Sequence, residues 1–191
     1  MAFVEESLSV ILEQFGEENT KRVLSEFICS ENEEVETFIK EKAILHENRG
    51  LAKTVLVIDT KAKGIVGYYT ISTKSFVIHS NISSRMKKKY FGTSQTSVDI
   101  IPSILIGQLG KNEAVESSFT GSDLMDLIFR YIKNMSVLTP SLVCYVEHDG
   151  REKLRNYYEK HGFTYFKREE DEEKGLYCHM IKTKDVLQST E

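Results

Sequence analysis

The stretch from Ile104 to Met125, ILIGQLGKNEAVESSFTGSDLM, most constrains what this chain can fold into. Ile104, Leu105 and Ile106, with Leu109 behind them, read as a buried strand. A connection rich in Ser, Thr and Gly follows. GSDLMDLIFRYI then has the spacing of an amphipathic helix. Strand, small-residue loop and helix in that order aim free backbone N–H groups and the positive end of a helix dipole at an anion. The same residues also serve ordinary N-capping, so the loop by itself does not decide between the two.

Composition narrows the class. With 191 residues the chain can bury a proper core, and 40% hydrophobic with 28% charged residues is globular usage. No apolar run approaches the ~20 residues of a membrane span. The opening MAFVEESLSVILEQF carries acids where a signal peptide carries bases, so the expected location is the cytoplasm. Cys29, Cys144 and Cys178 are odd in number and far apart. They offer neither a disulfide framework nor zinc-ligand spacing, and no metal is expected. A net charge of −4 gives no general attraction to nucleic acid. RMKKKY, Arg85 to Tyr90, is the local exception and reads as a solvated face or a phosphate contact.

In chain order, Val4, Leu8, Ile11, Leu12 and Phe15 are spaced as one helix that Gly16 ends. Val23 to Cys29 alternates loosely, as a short strand. Ser30 with Glu33 has the capping-box offset for a second helix, whose buried stripe is Val35, Phe38, Ile39, Ala43 and Leu45. TVLVID and IVGYYTIST form a hairpin around TKAKG, with strand content continuing through Phe76, Val77 and Ile78. Asn81 to Val98 is polar and basic, a helical turn or a loop. Pro102 precedes the central strand. The central helix runs from about Gly121 to Met135 and buries Leu124, Leu127, Ile128, Tyr131 and Ile132. Leu142 to Val146 is a buried strand, and Gly150 to His161 a helix closed by Gly162. Phe163 to Phe166 and Leu176 to Ile181 are strands around the solvated run KREEDEEKG. Mixed order with a strand–loop–helix in the middle predicts one α/β domain with a largely central sheet.

Two segments carry a family resemblance. SSFTG, Ser117 to Gly121, and YYEKHGF, Tyr157 to Phe163, resemble the GNAT N-acetyltransferase family, over about Val23 to Lys182. EFICSENEEVETFIKEKA, IVGYYTIS and LIGQLGKNEA resemble the GNAT subgroup that includes toxins acting on charged tRNA, with Gln108 where an Arg is common. The resemblance implies a mixed central β-sheet flanked by helices; residues 1–20 lie outside it and are expected as a helical extension. That extension would cover an acceptor groove, form a homodimer contact or close the core. The family's phosphate segment reads Gln/Arg-x-x-Gly-x-Gly/Ala. Glu116 and Phe119 depart from it, and Gly121 matches. Backbone N–H groups do this work, and any residue but Pro supplies one.

The resemblance further implies an acetyl group transferred from acetyl-CoA, as cosubstrate, to a primary amine of a small molecule, protein or aminoacyl-tRNA. Ser117, Ser118, Thr120, Gly121 and Ser122 would hold the diphosphate, and Leu109 and Lys111 the pantetheine arm. Tyr158 would protonate the departing thiolate, while Tyr157 packs. An unperturbed phenol is protonated at neutral pH and can donate. Glu113, Glu147 and His148 lie near the ends of flanking elements, and His148 has the pKa class of a general base. A tRNA acceptor would be met through Arg85 to Lys89. The other reading is a GNAT-fold binding or regulatory module without catalysis, which the departures at Glu116 and Phe119 favour.

Overall fold

The computed structural model describes residues 3–78, 83–92, 100–166 and 175–188. The chain forms two compact units, Met1–Ser72 with Ile106–Leu127, and Thr73–Leu105 with Ile128–Glu191. Strands β1 (Phe3–Ser7), β2 (Lys53–Asp59), β3 (Gly64–Val77), β4 (Ile100–Lys111), β5 (Val143–His148), β6 (Thr164–Tyr165) and β7 (Tyr177–Lys182) lie in the order β1-β2-β3-β4-β5-β7-β6. Pairing is antiparallel for β1–β2, β2–β3, β5–β7 and β6–β7 and parallel for β4–β5, so the sheet is mixed, as expected.

The first unit opens differently from the expected single helix. Phe3–Ser7 is a strand, β1, and only Leu8–Phe15 is helix α1. All five β1 residues pair with β2, Lys53–Asp59, and the Tyr69 hydroxyl donates to Glu5 Oε1 at 2.5 Å. Backbone pairing thus overrides the helical spacing of Val4. Gly16 ends α1 in a positive-φ conformation, and its amide donates to Leu12. The chain then re-enters a helix, α2, over Glu17–Ser25, so no strand forms at Val23 to Cys29. Thr20 and Leu24, four apart, are the residues this helix buries.

Asn32, not Ser30, caps the next helix, its carbonyl oxygen accepting from the Glu34 and Val35 amides. Ser30 instead donates its hydroxyl to Glu113 Oε2 at 2.6 Å. That helix has three parts: α3, Glu33–Thr37, a π turn over Phe38–Lys42, and α4, Ala43–Asn48. The π turn, sealed by the Ala43 amide to Phe38 carbonyl bond, adds a residue and rotates the side chains of α4 about the helix axis. Val35, Phe38, Ile39 and Ala43 are buried as expected, but Leu45 is turned outward and Ile44 and Glu47 face inward. Glu47 is satisfied there by Lys53 Nζ at 2.6 Å and the Thr54 amide at 2.8 Å.

The hairpin of β2 and β3, Gly64–Val77, forms where expected. Asp59 closes its turn by accepting from the Lys61 and Ala62 amides. Leu8, Leu24, Phe27, Phe38, Ile39 and Tyr68 are at the centre of this unit's core. Asn112 stitches it together: its carbonyl oxygen accepts from Ile28 and Ala114, and its amide donates to Ile65.

In the second unit α5, Ser84–Phe91, is capped by the Ser83 hydroxyl and stopped by left-handed Gly92. The rest of the expected Asn81–Val98 segment, residues 81–82 and 93–98, lies outside the described residues. Strand β4, Ile100–Lys111, begins before Pro102, whose carbonyl accepts from Leu142. Proline is therefore inside the strand near its start, not ahead of it. Helix α6, Gly121–Ser136, buries Leu124, Leu127, Ile128 and Ile132, with Met125 and Phe129 added and Tyr131 only half-buried. Strand β5, Val143–His148, and helix α7, Glu152–Lys160, come next, with Gly162 at φ 85° beyond the helix end. Strands β6, Thr164–Tyr165, and β7, Tyr177–Lys182, bracket KREEDEEKG, of which residues 167–174 lie outside the described residues. A last helix, α8, Thr183–Gln188, is not announced by the apolar spacing of the sequence; it buries Val186. Phe76, Tyr145 and Phe166, with Tyr90 and Met180, pack this unit's core.

Candidate functional site

The strand–loop–helix segment forms, with Ser117 to Thr120 leading into α6. Its organising residue is Phe119, which is fully buried and meets Phe3 edge-on at 5.0 Å. A Cβ on Gly67 would stand 2.9 Å from the Phe119 ring, so Gly67 makes room for it. Lys63 is the one described non-glycine residue at positive φ. The backbone at Phe119 therefore has no need of glycine, and the side chain leaves through the core. The departure at this position is thus absorbed by packing.

The other loop residues are held by carboxylates. Ser117 Oγ donates to Asp59 Oδ2 at 2.6 Å and accepts from the Phe119 amide at 3.3 Å. The Ser117 hydroxyl and the Ala62 and Lys61 amides hold the Asp59 carboxyl below the usual carboxylate range. Thr120 and Asp123 make a capping box. Asp123 Oδ2 accepts the Thr120 amide at 2.7 Å and its hydroxyl at 2.6 Å, and the Asp123 amide returns a bond to Thr120 Oγ1 at 3.2 Å. Sequence reasoning links neither aspartate to this loop; Asp59 reads there only as an edge of the hairpin connection. A capping box was legible in Thr120 and Asp123, three apart; the Asp59 link joins residues distant in sequence. Ser118 is exposed, and Gly121 and Ser122 are half-buried at the first turn of α6. On β4, Leu109 is half-buried and Lys111 exposed, while the Gln108 amide donates to Thr70 Oγ1 at 2.8 Å.

In the second unit, the β5 and β7 register pairs His148 with Tyr177 and Val146 with His179. His148 and His179 are therefore diagonal neighbours on one face. Their rings meet through Nε2 of His148 and Nδ1 of His179 at 3.0 Å, and the Gly150 amide donates to His148 Nδ1 at 3.0 Å. Tyr158 packs beside both, its ring 5.2 Å from His148 and 6.2 Å from His179. Phe163 and Tyr157 are its other aromatic neighbours. Tyr158 is 5% exposed, and burial pushes its phenol well above the ordinary range, so it stays protonated. Burial, then the neighbouring His179, lowers His148 to about 4; burial also lowers His179, against the pull of Glu159. His148 is thus neutral at pH 7 with both ring nitrogens engaged.

Of the other candidates, Glu113 accepts from Ser30 and is exposed, and Glu147 is half-buried on β5. On α5 the basic run divides. Lys87 is buried, whereas Arg85, Lys88 and Lys89 are exposed, so the run is not one uniformly solvated face. Among the described residues no cluster of His, Cys, Asp and Glu could hold a metal ion, and no helix is long and apolar enough to cross a membrane.

No protein-family model matches the chain. Solved structures do. AtaT complexed with acetyl-methionyl-tRNAfMet superposes with a TM-score of 0.72 at 17% identity, covering 99% of each chain. AtaTR bound with acetyl-CoA gives 0.68 at 16% identity, over 100% of this chain and 99% of that one. A Tyr-to-Phe mutant of KacT gives 0.71 at 18% identity, over 99% of each. End-to-end coverage at this level of superposition is a statement about architecture. The chain has the GNAT-like fold, in the form shared by the AtaT and KacT toxins.

Proposed function

We propose that this protein is an acetyl-CoA-dependent N-acetyltransferase acting on a primary amine, with the α-amino group of an aminoacyl-tRNA as the first acceptor class to test. The observation that carries the reading is Tyr158. It is a phenol kept protonated in an aromatic pocket at the end of a helix whose motif matches the family's acid segment. Neighbours of the same fold are bound to acetyl-CoA and to an acetylated aminoacyl-tRNA, which supports the cosubstrate and the acceptor class.

The loop residues fit a diphosphate in part. Phe119 leaves the backbone of Ser117 to Gly121 unobstructed by its side chain, and the first turn of α6 presents its positive dipole end. Against this, the Thr120 amide is already held by Asp123. In our reading Ser117, Ser118, Thr120, Gly121 and Ser122 hold the diphosphate once the Asp123 carboxylate gives way, and Leu109 and Lys111 support the pantetheine arm. Acetyl-CoA supplies an activated acyl group, which the amine nitrogen attacks as the C–S bond breaks. Tyr158 gives its hydroxyl proton to the departing sulfur, and the proton lost by the attacking amine passes to solvent, from which the phenol is restored. Exposed Arg85, Lys88 and Lys89 supply phosphate contacts for a tRNA. The protein acts in the cytoplasm, where its acceptor is found.

A second reading is a GNAT-fold binding module, favoured by the two aspartates that occupy the loop's donors. Calorimetry with acetyl-CoA separates the two. A Kd at or below the micromolar range, followed by transfer of labelled acetyl to methionyl-tRNA, is the expected outcome. No heat at millimolar acetyl-CoA would leave the binding module.

A further inference from the structure

The buried imidazole pair beside Tyr158 has a direction. The Gly150 amide can only donate, so His148 Nδ1 must accept and its proton sits on Nε2. That proton points at His179 Nδ1, 3.0 Å away, which must in turn accept. The His179 proton then sits on Nε2, which has no hydrogen-bond partner among the described residues and lies 3.6 Å from Glu159 Oε1. One backbone amide thus sets the tautomer of two buried rings in series. Protonating either ring would put two donors face to face, at His179 or at Gly150.

We propose that His148 and His179 are positioning residues for Tyr158: a one-way chain from the Gly150 amide through His148 to His179 locks both rings neutral and wedges the Tyr158 ring in place. This role rests on the acetyltransferase reading, and in it His148 is not the base. Gly150 joins β5 to α7, so the chain ties the turn that launches α7 to the face on which α7 packs. The pair is enclosed by aromatic rings. Tyr177 stacks on His148 at 6.0 Å, and Tyr165 lies 5.6 Å from His179. Asp149, Arg151, Arg155 and Glu159 are the charged groups that act on the pair, from the turn and from α7. His179 has no exposed surface, so its ring touches no acceptor and acts only through its neighbours.

The test has two arms on the full-length protein. Nitrogen-15 NMR at pH 7 reads the tautomers without any ligand: both histidines should be neutral and protonated on Nε2. An Nδ1–H tautomer or an imidazolium at either position overturns the proposal. The second arm compares His179→Leu with His179→Asn in acetyl transfer to methionyl-tRNA. Leu removes the acceptor at Nδ1 and should lower kcat by about tenfold or more with the KM for acetyl-CoA within about twofold. Asn restores an acceptor there and should recover most of that loss. Equal losses in the two variants overturn the proposal. If the wild-type protein transfers no acetyl group, the enzyme reading fails by itself. The proposal is then decided by the Tyr158–His148 ring contacts, which His179→Leu should shift in the NMR spectrum and which, if unchanged, refute it.

Discussion

Tyr158 and His148 adjoin in space, and burial moves their pKa values in opposite directions for one reason: each disfavours its charged form. For Tyr158 the ionised form is the anion, so its pKa rises. Acetyl transfer should therefore show no loss from phenol ionisation up to the ordinary value of 10.0, which a pH–rate profile measures. Tyr158→Phe should lower kcat by about 10²-fold or more while leaving the melting temperature within a few degrees, because the ring still fills its pocket. For His148 the ionised form is the cation, so its pKa falls from 6.5 to about 4. Between those values the unfolded chain binds more protons than the folded one, and stability must rise with pH. Urea midpoints should fall as the pH is lowered from 7 toward 4, and His148→Phe should flatten that slope. Phe119 is the residue where sequence and structure differ most in meaning. By the family's motif it is a missing glycine; in the fold it is a core side chain. Phe119→Ala should cost about 3–5 kcal/mol by urea denaturation, as a large-to-small change at a fully buried ring.

At the scale of elements, α6 begins with a closed capping box. Asp123 offers both Thr120 donors a carboxylate oxygen, the role a phosphate oxygen would take. On the proposed reading, the cap and the cosubstrate diphosphate would compete for one amide. Asp123→Asn should destabilise the free protein modestly, by about 0.5–2 kcal/mol, yet tighten acetyl-CoA binding. Thermal melting and calorimetry on the same preparation read the two effects, and weaker binding by the variant would refute the competition. The helix of α3 and α4 shows the opposite kind of surprise. Its first half keeps to the 3.6 spacing of its apolar residues, but one π turn re-phases the second half, exchanging Leu45 for Ile44 and Glu47. Nothing local in FIKEK announces that insertion. The buried Glu47 carboxylate explains its value, since it satisfies Lys53 and the Thr54 amide on β2.

At the scale of the molecule, the first strand reaches the loop. β1 pairs along all of its length with β2, and Phe3 seals the Phe119 ring. Removing residues 1–7 should lower the melting temperature and weaken acetyl-CoA binding together, whereas a dispensable extension would change neither. Much of this architecture was legible beforehand. The hairpin around Asp59 to Gly64, the amphipathic α6 and the helix ended by Gly162 are local matters of period, turn chemistry and backbone freedom, which neighbours along the chain decide. Phe3–Ser7, Val23–Cys29 and Thr183–Gln188 were misread or missed because their states depend on pairing and burial against distant residues.

The same division holds for the candidate site. Tyr158 and the Ser117–Ser122 loop could be singled out from sequence, because a helix-end motif and a small-residue connection are local patterns. The amino-acid sequence by itself determined which chemical groups are available and the period of the elements that carry them. Only the tertiary structure decided that Asp59 and Asp123 occupy the loop's donors, that Phe119 is core, and that His148 meets His179 rather than solvent. The reason is distance along the chain. Asp59 and Ser117 are 58 residues apart, and His148 and His179 are 31 apart. Side chains that far apart meet only after backbone pairing has set the register, and at that point burial and hydrogen bonding assign each its charge and its role.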